Sequence, residues 1–467
     1  MALLVKGSVT CVSWFGHSWS TRCHGQLSFP AAREDTCLER AAGLPLSEIG
    51  VSIRISLRTA DYRTAVVRAA KVASWMLSVK AAEDPESVIL STSQEDSPSS
   101  LTPLLVDLIE RITLRGYIMT LCKNAALSLL MLAATPAFAQ DKPVVQFIAT
   151  GGTIAMKIDP VKNAPVPAIS GDDLLATVPD VAKYATIEVN NLSNVPSDYM
   201  DPARWVVLTK AVQTALDRNE VSGVIVSHGT DTLEETAYWL DLTVKSSKPV
   251  VLIGAQRNAS VSDFDGPRNL LNAVRIAVDP QAKDKGAMLA MNNQINAARY
   301  VTKTHTANVE TFKSGDYGFL GEVYPDRVNF SYVQLRRQYI PIRAEKMPEV
   351  EIVAMYGGAD GEALRNAVDR GVKGVVVQAL GMGNMNVAMF NAVKYAISKN
   401  VAVVVSTRVH NGRVLPNYGF EGGGKTSFDA GAVMADDLKP AKARILLMLS
   451  LQNGVSSQSD LQAAFNR

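Results

Sequence analysis

The sequence predicts an α/β protein with a larger N-terminal doubly wound α/β domain, whose sheet is mostly parallel and includes a β-hairpin, and a smaller C-terminal α/β domain. Two observations predict this class. From residue 140 onward, short apolar runs bounded by Gly, Lys-Pro or Asn alternate with segments of helical period, as is typical of strands buried on both faces of a parallel sheet. Between Leu320 and Gln338 the helical period is lost and β-forming residues dominate, which predicts the hairpin.

The N-terminal domain is predicted to cover residues 140–342. A helix is predicted to open at Thr232, because apolar residues recur at helical spacing after it and two glutamates stand in the first turn. We interpret these glutamates, Glu234 and Glu235, as complements of the helix dipole. The predicted strands of this domain are Val144–Ala149, Val224–Ser227, Pro249–Ile253 and Met288–Met291.

A polar segment, residues 343–349, contains Met347-Pro348 and is predicted to link the domains. The C-terminal domain then covers residues 350–467, a size sufficient for a core of its own. Its predicted strands are Val350–Met355, Val372–Ala379 and Val401–Ser406.

Residues 119–139 have the pattern of a secretory signal peptide. A short basic segment is followed by an apolar stretch, Ala125–Ala134, and by small residues that end at Ala139. The stretch is too short to span a bilayer, and the alternative interpretation is a buried core helix. The pattern predicts a periplasmic protein with no membrane attachment after cleavage. All four cysteines lie before residue 140, so the remaining chain needs no disulfide in an oxidising compartment.

Residues 1–118 lack a sustained strand and helix rhythm. They contain three of the five tryptophans and a stretch rich in Ser and acidic residues near residues 91–100. We interpret this region as an over-extended gene start or a disordered extension, and we assign it no function.

The composition favours a small-molecule partner. The formal net charge is +2, and no run of Lys and Arg is present, which argues against nucleic-acid binding. Metal binding is not expected, because the chain after residue 140 has no cysteine and its three histidines form no close ligand pair. His228 is expected to be structural. The stretch Gly381–Asn386 lacks the third glycine of a dinucleotide motif.

Two stretches place a threonine on the turn between a predicted strand and a helix. The first ends in Gly-Gly-Thr153 and the second contains Gly-Thr230-Asp231. In an open α/β sheet, ligands bind outside the carboxyl ends of the strands, so the two turns are predicted to converge. A Gly-Gly-Thr turn on its own is more often a simple strand end, although its glycines could also let the backbone approach a ligand and leave N–H groups free.

A threonine hydroxyl is a weak nucleophile that needs a base, a stabilised oxyanion or both. Thr230 could act as nucleophile, proton relay or water orienter, and Asp231 could accept hydrogen bonds from an ammonium group. Lys303 follows the fourth predicted strand and could be the base if it is buried. A lone lysine in such a loop is more often solvated.

Residues 140–467 resemble the bacterial type II, or periplasmic, L-asparaginases. The resemblance rests on the segments Ala149–Ala155 and Ser227–Glu235 and continues through Lys248–Arg257, Asp265–Leu270 and Thr302–Thr304. It implies an L-asparagine amidohydrolase with no cofactor that works as a homotetramer.

The resemblance also implies roles for individual residues. Thr153 is then the nucleophile that forms an acyl-enzyme, and Thr230, Asp231 and Lys303 form the supporting triad. Asp231 also holds the α-amino group of the substrate. Ser197 binds the α-carboxylate, Asp198 contacts the substrate beside it, and Asn386 is offered by a neighbouring subunit.

Two positions depart from the family pattern. The segment after Thr153, residues 156–168, has no lid tyrosine and contains three prolines, which stiffen it. An acidic residue expected from the second domain has no secure counterpart, and Glu421 is only a candidate.

Two alternative functions remain at this point. L-Glutamine differs from L-asparagine by one methylene, which discriminates by only about 1–3 kcal/mol, so a glutaminase-asparaginase is the nearer alternative. The other is a periplasmic amino-acid-binding protein without catalytic activity, which would not need two threonine turns and a positioned lysine.

Overall fold

The computed structural model describes residues 142–467 and four strands of three residues each near the N-terminus. The four strands pair antiparallel as two hairpins, Leu3–Val5 with Ser8–Thr10 and Ser13–Phe15 with Ser18–Ser20. The predicted signal peptide, residues 119–139, lies outside the described residues, as does the rest of the region before residue 142. Residues 142–467 confirm the predicted α/β class.

The larger part is built on an eight-stranded sheet. The strands of this sheet are β1 (Val144–Gly151), β4 (Thr186–Val195), β5 (Val221–Ser227), β6 (Val250–Ile253), β7 (Ala287–Met291), β8 (Gln294–Ala297), β11 (Gly321–Val323) and β12 (Val328–Phe330). In space the strands run β12-β11-β8-β7-β6-β5-β1-β4. The pairs β4–β1, β1–β5, β5–β6 and β6–β7 are parallel, and the remaining three pairs are antiparallel.

Two short antiparallel ribbons accompany this sheet. The first pairs β2 (Met156–Asp159) with β3 (Ala164–Pro167), and the second pairs β9 (Thr302–Lys303) with β10 (Phe312–Lys313). The helices of the larger part are α1 (Gly171–Ala176), α2 (Pro202–Leu216), α3 (Leu233–Thr243) and α4 (Gly266–Val278). Short 3₁₀ turns include Thr153–Ala155 and Ser197–Tyr199.

The smaller part is a four-stranded parallel sheet whose strands, named with their bounds below, lie in the order in which they follow along the chain. No helix or strand interrupts the described segment 331–349 that precedes it. The domain boundaries at residues 140–342, 343–349 and 350–467 remain predictions. The elements are β13 (Val350–Ala354), α5 (Glu362–Asp369), β14 (Gly374–Ala379), α6 (Val387–Ser398), β15 (Ala402–Thr407), α7 (Gly424–Asp429), β16 (Val433–Met434), α8 (Pro440–Gln452) and α9 (Gln458–Phe465).

Both sheets are covered on both faces. Successive residues of β1 point to opposite sides, so Phe147 joins one apolar cluster and Ile148 another. The cluster that contains Ile148 continues through α2, α3 and α8 to the smaller sheet, where it includes Val376 and Val404. The two sheets therefore share a core on the side of α8. Among the described residues, none of the helices has the length and apolar character needed to cross a bilayer.

The predicted strands and the predicted hairpin are all present, with ends shifted by up to three residues. The prediction missed the edge strand β4, and also β8, β16 and the four short strands of the two ribbons. Strand β4 lies at one edge of the large sheet, and all of its residues are partly buried or exposed. Its sequence therefore lacks the continuous apolar run that marks the central strands.

Candidate active site

The two threonine turns lie side by side. Strands β1 and β5 are parallel neighbours, and Ala149 pairs with Ser227 at their carboxyl ends. The buried hydroxyl of Thr150 donates a hydrogen bond to the carbonyl of Ser227 at 2.7 Å. Strand β1 lies between two neighbours in the sheet. The next strand of the sheet along the chain, β4, lies on one side of β1, and the one after it, β5, lies on the other side. The turns thus flank the point where the strand order reverses, which is where doubly wound sheets bind ligands.

The glycines of the first turn are required by contacts between backbones. Gly151 and Gly152 have φ angles of 112° and 85°, which favour glycine. A Cβ atom on Gly151 would lie 2.4 Å from the backbone of Val195, and one on Gly152 would lie 2.2 Å from Gly229. The N–H of Gly152 donates to the carbonyl of Val195 at 3.0 Å. This N–H is therefore not free for a ligand, in contrast to the expectation from sequence.

Lys303 joins the second turn. Its Nζ donates to Thr230 Oγ1 at 2.9 Å and to Asp231 Oδ1 at 2.6 Å. Thr230 is buried, the Lys303 side chain is 17% exposed and the Asp231 side chain is 60% exposed. The structure therefore places a hydroxyl, an ammonium group and a carboxylate in one cluster that is buried at the hydroxyl and open at the carboxylate.

Glu234 fixes the backbone of the same lysine. Its carboxylate accepts a hydrogen bond from the N–H of Lys303 at 2.6 Å. Glu234 stands in the first turn of α3, directly after the Thr230 turn. The predicted role of Glu234 as a dipole complement did not include this contact. The carboxylate also joins the strand of Lys303 to the helix beside Thr230.

A buried chain of hydrogen bonds holds the second turn on its core side. Trp205 Nε1 donates to Thr236 Oγ1 at 2.8 Å, and Thr236 Oγ1 lies 2.9 Å from Nε2 of His228. The Nδ1 of His228 lies 2.7 Å from the carbonyl of Gly229, which can only accept. Burial lowers the pKa of His228 to about 4. The imidazole is therefore neutral at pH 7, carries its proton on Nδ1 and holds the peptide that precedes Thr230.

Ser197 packs beside the second turn. It is buried, and a Cβ atom on Gly229 would lie 2.6 Å from its hydroxyl oxygen. The carbonyl of Ser197 accepts a hydrogen bond from Thr232 Oγ1 at 2.8 Å. Asp198 follows on the same 3₁₀ turn and is exposed. Three separate segments of the chain therefore meet at this edge of the sheet.

Asn386 lies in the smaller part and serves as the N-cap of α6. Its side-chain oxygen accepts from the N–H of Met389 at 2.8 Å, and its amide nitrogen donates to the carbonyl of Ala359 at 2.7 Å. These contacts give Asn386 a structural role within its own chain. Its contribution to a substrate site remains a prediction. Glu421 is exposed and lies 3.8 Å from Lys394 Nζ.

The segment after Thr153 forms the β2–β3 hairpin. Its base is tied down by the carbonyl of Ala155, which accepts from the N–H groups of Ala168 and Ile169 at 2.9 and 3.1 Å. The N–H of Ile158 donates to Ser260 Oγ at 2.9 Å. A hairpin held at its base and side is consistent with the stiffness predicted from the three prolines.

A cleft of about 400 Å³ opens beside the Lys303 cluster. Five of its lining residues come from the segment that begins at Thr302, and the other two are Asp231 and Glu234. Within the described part of the chain, no three His, Cys, Asp or Glu side chains are grouped so that they could hold a metal ion.

Two residues near the site make contacts that the sequence analysis did not predict. They are Glu234, described above, and Lys442, whose Nζ donates to the carbonyls of Arg299 and Val301 in the segment that leads to Lys303. A signal for Lys442 exists in the sequence, because it falls on the same helical face as the apolar residues Ile445, Leu446 and Leu449. A lysine on an apolar face needs a buried partner.

Comparisons with known proteins agree with this architecture. The family model for the asparaginase N-terminal domain matches residues 144–336, and the model for the glutaminase/asparaginase C-terminal domain matches residues 349–465. The chain is similar to L-asparaginase 2 of Bacillus subtilis, with 37% identity over 70% of this chain and 87% of the relative. It is also similar to the probable periplasmic L-asparaginase of Haemophilus influenzae, with 38% identity over 71% of this chain and 95% of the relative.

A solved structure matches as well. The probable cytoplasmic L-asparaginase from Campylobacter jejuni is 36% identical, with a TM-score of 0.64, and the match covers 70% of this chain and all of that one. This finding contradicts the predicted periplasmic localisation, which we withdraw. The prediction was based on the signal-peptide pattern of residues 119–139, which lie outside the described residues, and residues 142–467 contain no cysteine. The fold therefore depends on no disulfide, and neither it nor the resemblance specifies a redox compartment.

Proposed function

Since this chain belongs to the asparaginase and glutaminase family, we propose that it is an enzyme that hydrolyses L-asparagine to L-aspartate and ammonia through an acyl-enzyme on Thr153. The observation that carries this proposal is the contact of Lys303 with both Thr230 and Asp231, beside the turn that bears Thr153. A hydroxyl paired with a lysine is a known variant of triad chemistry, and here a second hydroxyl lies on the adjacent strand end.

Substrate recognition is proposed to use charge at both ends of the amino acid. Asp231 is exposed and has one carboxylate oxygen outside its contact with Lys303, so it can accept the α-ammonium group of the substrate. Ser197 would bind the α-carboxylate through its hydroxyl, and the exposed Asp198 beside it would contact the substrate. This arrangement leaves the side-chain amide directed at the threonine turns.

The first chemical step is attack of the Thr153 hydroxyl oxygen on the amide carbon. The hydroxyl proton is transferred to the amide nitrogen, the C–N bond breaks and ammonia leaves. Backbone N–H groups of the turns stabilise the oxyanion, with the N–H of Gly152 excluded because it is bonded to Val195. In the second step, water assisted by Thr230 and Lys303 attacks the ester, and L-aspartate leaves as Thr153 regains its proton.

The working form is proposed to be a homotetramer, as the resemblance implies. One fact supports an added subunit. Asp198 and Asp231 are exposed in the single chain, so the surface beside them is open to a neighbouring subunit. Light scattering on the purified protein would give the mass, and a monomer with full activity would contradict this part of the proposal.

The experiment that tests the function measures ammonia release from L-asparagine by the full chain and by Thr153→Ala and Thr230→Val. Thr177→Ala, which removes an exposed hydroxyl at the end of α1, is the matched control. We expect release by the wild type and the control only. Mass spectrometry of enzyme quenched during turnover should find the acyl group on the peptide that contains Thr153.

Three outcomes would overturn parts of this proposal. Binding of L-asparagine without release of ammonia would contradict the hydrolase. An acyl group on Thr230, with activity retained in Thr153→Ala, would exchange the roles of the two threonines. Equal rates with L-glutamine and L-asparagine would favour the glutaminase-asparaginase alternative over an enzyme selective for L-asparagine.

A further inference from the structure

Lys442 is a buried lysine that the proposed reaction does not use directly. It is the third residue of α8 and is 2% exposed. Helix α8 packs against α3, the helix that follows the Thr230 turn, and against three strands of the smaller sheet. Lysine is seldom buried completely unless its ammonium group has partners, and an apolar side chain of similar length could fill the same space. The lysine is thus expected to have a specific partner.

The partners of Lys442 are two carbonyls of the segment that leads to Lys303. Its Nζ donates to the carbonyl of Arg299 at 3.1 Å and to the carbonyl of Val301. This segment, residues 298–301, connects β8 to β9 and contains neither helix nor strand. Backbone hydrogen bonds fix its start, from the N–H of Ala298 to the carbonyl of Ala287 at 3.3 Å and from the N–H of Val301 to the carbonyl of Ala297 at 3.1 Å. The contacts of Lys442 hold the carbonyls of the same segment.

The same segment is held by a second contact to the C-terminal part. Arg299 forms an ion pair of 2.7 Å with Asp437, and both side chains are at most 3% exposed. On the other side of the segment, Glu234 accepts the N–H of Lys303. Lys303 thus reaches Thr230 from a strand end that is fixed by Asp437, Lys442 and Glu234.

We propose that Lys442 is a positioning residue for Lys303: by binding the carbonyls of Arg299 and Val301, it holds the strand end at the place from which the Lys303 ammonium group reaches Thr230 and Asp231. The proposal rests on the proposed hydrolysis, because it assigns a purpose to the position of Lys303. It also means that the smaller part contributes to the active site of its own chain through α8.

The electrostatic setting of Lys442 agrees with this role. Burial lowers its pKa to about 8, and the charged groups near it are Glu234, Arg299, Asp437 and Glu235. Both protonation states of the amine retain N–H donors for the two carbonyls. The contact is thus available on either side of that pKa.

The test compares Lys442→Met, which keeps the length of the side chain and removes the donors, with Lys442→Arg, which keeps donors. Lys439→Met is the matched control, since Lys439 also donates to a backbone carbonyl, that of Val409, but does not contact the Lys303 segment. We expect Lys442→Met to lower kcat by about 10- to 100-fold with a smaller change in KM, because a displacement of about 1 Å of a catalytic group has effects of this size. Lys442→Arg should recover part of kcat, and Lys439→Met should match the wild type.

Two readouts distinguish positioning from a general loss of folded protein. Above pH 6.5, where His228 no longer changes its protonation state, a smaller folded fraction would multiply the pH profile of kcat by one factor, whereas a displaced Lys303 would change the shape of the profile. Hydrogen exchange should become faster in peptides covering residues 299–303 in Lys442→Met and remain unchanged in Lys439→Met. Unchanged exchange there, or a profile scaled by a constant, would overturn the proposal. Hydrogen exchange is measured without substrate. An inactive wild type would therefore contradict the proposed hydrolysis, while the exchange data would still test whether Lys442 positions the Lys303 segment.

Discussion

Gly152 lies against Gly229 so closely that a Cβ atom on the former would be 2.2 Å from the Cα of the latter. The two glycines belong to the turns that carry Thr153 and Thr230. Their backbones therefore set the separation of the two hydroxyl groups, and neither position has room for a side chain.

Gly152→Ala is accordingly predicted to be severe. The φ angle of 85° is unfavourable for alanine, and the new methyl group would meet backbone atoms that cannot move aside. We expect a loss of at least about 3 kcal/mol in the free energy of unfolding, together with loss of ammonia release. Calorimetry and the activity assay measure both. Gly357→Ala is the control, because nothing lies within 4 Å of its added Cβ, and similar effects in the two variants would contradict the steric argument.

Replacement of Lys303 by arginine or methionine is predicted to show whether catalysis needs only the positive charge of Lys303 or also transfer of its proton. Lys303→Arg keeps a cation beside Asp231, but a guanidinium group does not give up its proton in proteins. We expect both Lys303→Arg and Lys303→Met to lower kcat by about 10³-fold. Steady-state kinetics would detect this loss. Lys313 lies on β10, the strand next to that of Lys303, and pairs with Glu310. Lys313→Met should keep kcat. Near-normal kcat in Lys303→Arg would show that the charge alone is sufficient.

The buried pair of Arg299 and Asp437 is predicted to be essential for stability. Asp437→Asn would leave the Arg299 guanidinium buried without its counter-charge, and Asp437 also accepts from Tyr317 at 2.8 Å. We expect a loss of about 3–5 kcal/mol in the free energy of unfolding. Asp326→Asn breaks an exposed pair with Arg327 and should cost at most about 1 kcal/mol. Denaturant titration of both variants measures their free energies of unfolding. Equal losses in the two variants would contradict a special role for the buried pair.

The stability of the fold is predicted to depend on pH through His228. Its pKa is about 4 in the folded protein and 6.5 for the free side chain, because burial disfavours the imidazolium. The unfolded chain therefore binds more protons between these values, and stability falls as the pH drops from 6.5 to 4. Above pH 6.5 the imidazole is neutral in both the folded and the unfolded chain, so His228 no longer makes the stability depend on pH.

His228→Gln should remove this dependence. From a shift of this size we expect the wild type to lose about 3 kcal/mol more than the variant between pH 6.5 and 4. Thermal unfolding recorded at steps of pH measures the difference. Parallel pH profiles of the two proteins would be incompatible with a neutral buried imidazole.

The central strands of the two sheets were predictable because they are short apolar runs. Strands β8, β9 and β16, of two to four residues, are too short to show a pattern. The turns were also predictable as neighbours, since Thr153 and Thr230 follow strands whose carboxyl ends meet at one edge of a parallel sheet. Strand β4 was not, because it is an edge strand in which every residue is partly buried or exposed. Edge strands and surface loops share polar sequences, so periodicity does not separate them.

The residues around Lys303 could be predicted only in part. Lys303 itself was identified from the family pattern and from its place after a strand. Glu234 had a sufficient local explanation at the start of a helix, which concealed its contact with Lys303, 69 residues away. The contact between Lys442 and Val301 spans 141 residues, and single-sequence patterns carry no information on pairs so distant.

This last separation has a consequence for synthesis of the protein. Both threonine turns and Lys303 leave the ribosome before α8 is translated, and chains grow at about 5–20 residues per second. If Lys442 sets the position of Lys303, a nascent or truncated chain carries every reacting group and yet lacks the contact that arranges them. Full catalytic competence would then appear only when translation is almost finished, so that unfinished chains would consume the substrate more slowly than the complete protein.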